Sequence, residues 1–145
     1  MKRRLIVPSI PRTEATASTL TKELTLIGSK GRRRLTALFD NGATYSVIRK
    51  DIAEEIEILT PLQDLDEWVF ETARKGELIQ AHYAIRVDFL FDDSAMRFTD
   101  EIIVFDECSE ELIIGAKTMQ AWHIRLDFSA EQITYPKEAR RLIII

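Results

Sequence analysis

RRLTALFDNGATYSVI, residues 33–48, decides how the rest of the 145-residue chain is read. Leu35, Ala37 and Phe39 alternate with Thr36 and Leu38, the two-residue period of a strand with one face buried. That strand delivers Asp40 to its buried end, where a carboxylate without partners is costly and its pKa is open to shift. Gly42 follows two residues later, as expected where the backbone turns tightly and comes close to another group. Asp-Asn-Gly is also an ordinary hairpin-turn signal, so the tripeptide alone reads either as an acid held on a tight loop or as a simple turn.

Length and charge narrow the field. A chain of this size is expected to form one domain whose core needs no staples. Its net charge of −4, with no clustered positive field, points away from a nucleic-acid partner. Lys30, Arg32, Arg33 and Arg34 read as the solvated end of a strand, with a phosphate or an acidic partner as the alternative. The single Cys108 excludes an internal disulfide and fits a reducing compartment. His82 and His123 have no Cys/His partner at ligand spacing, so neither a zinc site nor a cysteine nucleophile is expected, and no cofactor is called for. MKRRLIVPSIPR, residues 1–12, has only Leu5, Ile6 and Val7 before Pro8, too little for a signal-peptide core. No stretch is long enough to cross a bilayer. The expectation is a cytoplasmic protein with no membrane contact.

In chain order, residues 1–19 read as an extended arm, interrupted by Pro8 and Pro11, ahead of a domain over 20–145. Residues 20–27 form a strand, and 28–31 turn back into the strand that carries Asp40. Ile48, Ile52 and Ile56, four apart with acids between them, predict a short helix over 49–57, and Pro61 lies beyond its end. Residues 67–73 read as a strand, 74–76 as a turn, and 78–91 as the longest strand, since Ile79 to Phe91 alternates without a break and leaves His82 on the wetter face. Strands over 96–105 and 111–114, helical turns over 116–122, and strands over 124–128 and 131–135 complete the chain. Leu142, Ile143, Ile144 and Ile145 form an apolar end that proteins usually cover. The sum is all-β, about eight strands with one or two short helices.

LTALFDNGATYSVI at 35–48, followed by ELIIGAKTMQAWHIRLDF at 111–128, resembles the retroviral-type, or retropepsin-like, aspartic proteases. That family pairs an apolar-apolar-Asp-Thr/Ser-Gly-Ala loop with a later apolar-apolar-Gly sequence, a short helix and a closing strand. FETARKGELIQAHYAIRVDF at 70–89 stands where the family has its β-hairpin flap. The likeness spans roughly residues 20–130. It implies a single-domain retropepsin-like acid-protease β-barrel that is half of a two-fold homodimer. It also implies peptide hydrolysis by two carboxylates that share a proton, because like charges about 3 Å apart cannot both ionise easily. This chain offers one Asp-x-Gly, so the second acid would be Asp40 of another copy. Asn41 and Gly42 would support the dyad. Ala43, Thr44, the flap residues Ala73, Arg74, Lys75 and Gly76, and the apolar Ile113 and Ile114 would contact a polypeptide bound as an added strand.

Three departures matter. Asn41 replaces the Thr or Ser whose hydroxyl braces the two acid loops, and an amide is bulkier with its atoms farther out. Thr44 and Ala116 replace an acid and an arginine that retroviral members often pair, which resembles cellular or bacterial relatives more. Ala43 has no hydroxyl to donate to Asp40, which implies a mildly acidic to neutral optimum. Two other readings stay open: a dimeric peptide-binding module of the same fold with weak or lost catalysis, and an unrelated small β-barrel in which Asp40 merely ends a strand.

Overall fold

The computed structural model describes residues 3–4, of which only the backbone, 19–72 and 76–137. In chain order the elements are β1 (Arg3–Arg4), β2 (Thr19–Ile27), β3 (Arg32–Asp40), β4 (Val47–Arg49), α1 (Lys50–Ile56), β5 (Thr60–Pro61), a 3-10 turn (Leu65–Trp68), β6 (Val69–Glu71), β7 (Leu78–Gln80) and β8 (Tyr83–Leu90). They continue with β9 (Phe98–Phe105), β10 (Leu112–Ile114), α2 (Ala116–Trp122), β11 (Arg125–Asp127) and β12 (Gln132–Thr134).

The alternating residues of β2 and β3 pair antiparallel from Thr19 opposite Asp40 to Ile27 opposite Arg32. This buries Leu24, Leu26, Leu35, Ala37 and Phe39 on one side. From there the sheet runs β2-β3-β10-β4-β9-β8, with β5 at the end, and β2 also pairs with β8. That last pairing, Thr25 with Leu90 to Ile27 with Asp88, closes six strands into a barrel and removes the open edges a flat sheet would leave. The core inside is aromatic: Phe89 and Phe98 stack at 5.0 Å between ring centres, and Phe39, Phe89 and Phe98 each lie against Phe91. Burying one such ring contributes roughly 1.5–3 kcal/mol over leaving it in water. Helix α1 appears as the four-residue spacing predicts and turns Ile52, Ala53 and Ile56 into this core.

A second, smaller core lies outside the barrel, built from Ala43, Val47, Phe70, Ala81, Ala84, Ile103, Phe105 and Ile113. The separate sheet β1-β6-β7 stands over it, with Phe70 opposite Ile79 in the β6–β7 hairpin and Arg3 beside Phe70 in parallel.

Four expectations need correction. The strand over 78–91 is broken at Ala81 and His82: β7 belongs to the small sheet and β8 to the barrel. The change of sheet is held by long-range bonds, with Ala81 N–H donating to the Trp68 carbonyl (2.9 Å) and Leu62 N–H to the His82 carbonyl (2.8 Å). The Gln80 side-chain amide adds bonds to the carbonyls of Leu65, Trp68 and Ala81. The strand over 67–73 is shortened to β6, because a 3-10 turn takes its start, and Ala73 lies outside the described residues. The strand over 96–105 starts only at Phe98. Short bridging pairs such as β5 bring the number of strands among the described residues to twelve. Most of the arm over 1–19 and the apolar end 142–145 also lie outside them.

Candidate active site

Asp40 closes β3 with no exposed surface, while Asn41 and Gly42 just beyond it are exposed. The chain reverses because the Asp40 side chain bonds its own loop: Gly42 N–H donates to Oδ1 at 2.8 Å, and Ala43 N–H donates to the Asp40 carbonyl at 3.2 Å. A side-chain oxygen accepting from the residue two further on is an Asx turn. The positive φ of a hairpin glycine is absent at Gly42; among the glycines it occurs at Gly76, φ 80°. Gly42 matters through proximity, since a Cβ there would stand 3.2 Å from Oδ1 of Asp40.

The second loop locks into the first. Strand β10 pairs parallel with β3, Ile113 beside Leu38 and Ile114 beside Phe39, and antiparallel with β4, Ile113 opposite Val47. Gly115 then meets the acid loop so closely that a Cβ would fall 2.5 Å from the Tyr45 carbonyl oxygen and 2.9 Å from that of Ala43. Only glycine leaves room. Ala116 N–H donates to the Ala43 carbonyl (2.7 Å) and Lys117 N–H to the Thr44 carbonyl (3.1 Å), so the first turn of α2 closes on the acid loop. The two motifs that the sequence separates are thus one construction.

The site residues read from the sequence divide as follows. Asp40, Gly42, Ala43 and Thr44 share the acid loop. Ile113 joins Ala43, Val47 and Phe70 in the second core, whereas Ile114 turns into the barrel core, as neighbours on a strand must. Gly76 lies in the turn between β6 and β7, where Thr72 N–H donates to the Glu77 carbonyl at 3.1 Å; Ala73, Arg74 and Lys75 fall outside the described residues. The root of this hairpin is tied to the acid loop by rings: Tyr45 lies edge-on to Trp68 (6.0 Å) and Phe70 (5.7 Å), and Phe70 lies against Phe105 (5.5 Å). Lys117 Nζ stands 4.5 Å over the Tyr45 ring. Asn41 instead lines a cleft of about 390 Å³ with Ala116, Met119, Ile124 and Leu126.

Three polar residues were missed in the sequence. Ser46 and Thr118 are buried, and their hydroxyls meet at 2.6 Å. Asp100 of β9 accepts from Thr118, and burial pushes its carboxyl above the usual carboxylate range. A threonine beside Met119 on the buried side of so short a helix was the available signal, and a weak one. Cys108 is half-buried, and burial pushes its thiol up, away from the thiolate a nucleophile needs. Among the described residues no group of three or more His, Cys, Asp or Glu could hold a metal ion, and no helix is long and apolar enough to cross a membrane.

Compared with known proteins, the fold is that of retroviral-protease-like domains. The retroviral protease-like domain of Ddi1 from Leishmania major matches with a TM-score of 0.59 at 15% identity, over 83% of this chain and 90% of that one. The EIAV protease, solved with the inhibitor HBY-793, aligns over 76% of this chain and 93% of its own at 15% identity, with a TM-score of 0.48. No protein-family model and no curated protein sequence matches. The chain is therefore a single-domain, retropepsin-like β-barrel with two short helices.

Proposed function

We propose that this chain is one half of an aspartic endopeptidase, in which Asp40 from each of two copies forms the catalytic pair. The observation that carries the reading is the interlock itself: an acid at a barrel strand end, on an Asp-x-Gly-Ala loop, clasped by an apolar-apolar-Gly loop whose glycine admits no side chain. A simple turn would not need that clasp. Two carboxylates about 3 Å apart share one proton, so one can activate water while the other polarises the scissile carbonyl. The protein would supply the pair by symmetry, because a two-fold axis brings the same loop from both subunits together.

The second copy would sit against the cleft beside Asn41. Hairpin β11–β12 borders it: Arg125 and Leu126 line the cleft, and Leu126 and Ile133 pack inward on the barrel core. A two-stranded ribbon is marginal alone, and pairing with its counterpart would extend it. Asp40 has no exposed surface in the single chain, so the reading requires its surroundings to part before a peptide or a partner carboxylate reaches it. The substrate would lie extended under the β6–β7 hairpin. The carbonyls of Ala43 and Thr44 are taken by α2, so Gly42, Ala43 and Thr44 would meet the peptide through their remaining backbone and side-chain groups, with Gly76 above and Ile113 beside a side-chain pocket. With Thr44 and Ala116 in place of a paired acid and arginine, the chain would be closer to cellular or bacterial members, working in the cytoplasm without a cofactor.

One experiment tests the reading. Purified protein and its Asp40→Asn variant are incubated with a peptide library, with and without pepstatin, while sedimentation reports the assembly state. Cleavage that the variant and the inhibitor abolish, in a dimer, supports it. A stable monomer at micromolar concentration without cleavage overturns it. Binding without cleavage would favour the second reading, a dimeric peptide-binding module, for which exposed Asn41 in place of a bracing hydroxyl speaks.

A further inference from the structure

Four groups that no part of the proposed reaction uses form a line behind the acid loop. Gly115 N–H donates to Ser46 Oγ at 3.0 Å, Ser46 Oγ lies 2.6 Å from Thr118 Oγ1, and Thr118 Oγ1 donates to Asp100 Oδ2. The serine and threonine are only 3% and 4% exposed. Counting donors fixes the direction. An ionised carboxylate only accepts, and each hydroxyl has a single proton to give. Thr118 spends its proton on Asp100, so it must receive one from Ser46, and Ser46 in turn receives that of Gly115. Every proton then points the same way, from the backbone to a charge, the arrangement in which hydrogen bonds reinforce each other. A protonated Asp100 can instead donate to Thr118, which can then donate to Ser46. The Ser46 proton loses its place in the line, and the order is no longer unique.

We propose that ionised Asp100 is a positioning residue: through Thr118 and Ser46 it holds Gly115 against the acid loop, and the clasp loosens when Asp100 takes up a proton. The groups around it agree with that role. Strand β8 brings Arg86, whose charge favours the ionised form, and Asp88, already held by Arg97 (2.9 Å) and Thr99 (2.7 Å). Its own neighbour Glu101 donates its N–H to Oδ1 at 2.9 Å. Helix α2 brings Thr118, while Lys117 is turned to Tyr45. Burial pushes the Asp100 carboxyl up, while the Thr118 bond, the Glu101 N–H and the Arg86 charge pull it back, so its net position lies above the usual carboxylate range.

The test reads the clasp directly, by NMR, in the full chain. Carboxyl titration of Asp100 and amide exchange of Gly115, referenced to β2 amides, are followed over roughly pH 4 to 7 in the natural protein and in Asp100→Asn, Thr118→Val and Ser46→Ala. Losing a charge-assisted bond should cut Gly115 protection about three- to tenfold as Asp100 protonates, with no such step in Asp100→Asn, which keeps an acceptor without a charge. Thr118→Val should move the Asp100 titration further up. An identical pH dependence in the natural protein and Asp100→Asn, or an Asp100 titration indifferent to both hydroxyl deletions, overturns the proposal. An activity arm rests on the protease reading: Asp100→Asn should shift the acid limb of kcat more than KM. Absence of cleavage in every sample, with the Gly115 step intact, would sink the protease reading and support the clasp.

Discussion

The barrel core and the second core are built from the same kinds of residue and do different work. In the first, Phe39, Phe89 and Phe98 come from strands of one closed sheet and meet on Phe91, which follows β8, and all four are fully buried. In the second, Phe70, Ala43, Val47, Phe105 and Ile113 come from a hairpin, a loop and the outer face of the barrel, and its rim is finished by half-buried Tyr45, Trp68 and Ile79. A closed core sets global stability. A core finished by half-buried residues gives its hairpin less to hold it than the closed barrel has, so the two are expected to differ in how readily they open.

The contrast can be broken most forcefully inside the barrel. Phe89→Ala removes a ring with no exposed surface and should cost about 3–5 kcal/mol, seen as one cooperative loss in urea or thermal unfolding. Phe70→Ala removes an equally buried ring, yet the loss should fall near 3 kcal/mol or below, because neighbouring Tyr45 and Trp68 can settle into the space. Amide exchange should accelerate in β6 and β7 before it does in β2 and β3; a uniform loss across both cores would show that they are one. Gly115→Ala drives a methyl into the Tyr45 carbonyl and should cost about 1–3 kcal/mol, with any hydrolytic activity falling far more steeply than stability.

Smaller effects sharpen the picture at the polar positions. Because burial raises the Asp100 carboxyl, the folded chain holds that proton more tightly than the unfolded one. Its stabilising contribution is full below the ordinary carboxylate range and is lost as pH rises through the raised value. Asp100→Asn should therefore flatten the stability profile on that limb and leave the neutral protein up to about 1 kcal/mol more stable, the screening of a half-buried group keeping the figure low. Asn41→Thr should change monomer stability by about 0.5 kcal/mol or less at an exposed position, while strengthening dimerisation and turnover if the cleft is where copies meet. Weaker dimerisation on sedimentation would give the amide a role of its own.

The barrel and the acid loop were legible because their signals are local. Alternation in β2, β3 and β8, the four-residue spacing of α1, and Asp-x-Gly at a strand end are all read within a few residues. What escaped depends on distant partners. Alternation continues smoothly through Ala81 and His82, and only the carbonyls of Leu65 and Trp68, offered from another part of the chain, reveal that the strand changes sheets there. Ile113 and Ile114 look alike on paper, and the parallel pairing with β3 sends one to each core. Ser46, Thr118 and Asp100 are ordinary polar residues until the fold sets them in line.

The parallel seam between β3 and β10 has a temporal consequence. Strand β3 cannot gain that neighbour until a segment far down the chain has been made: the amide that reaches Ser46 belongs to a residue 69 positions later. During synthesis the acid turn leaves the ribosome long before its clasp, and contacts of such long range form late. A chain made only as far as β9 therefore carries the acid turn without its clasp, and the two loops can lock together only once Gly115 has followed.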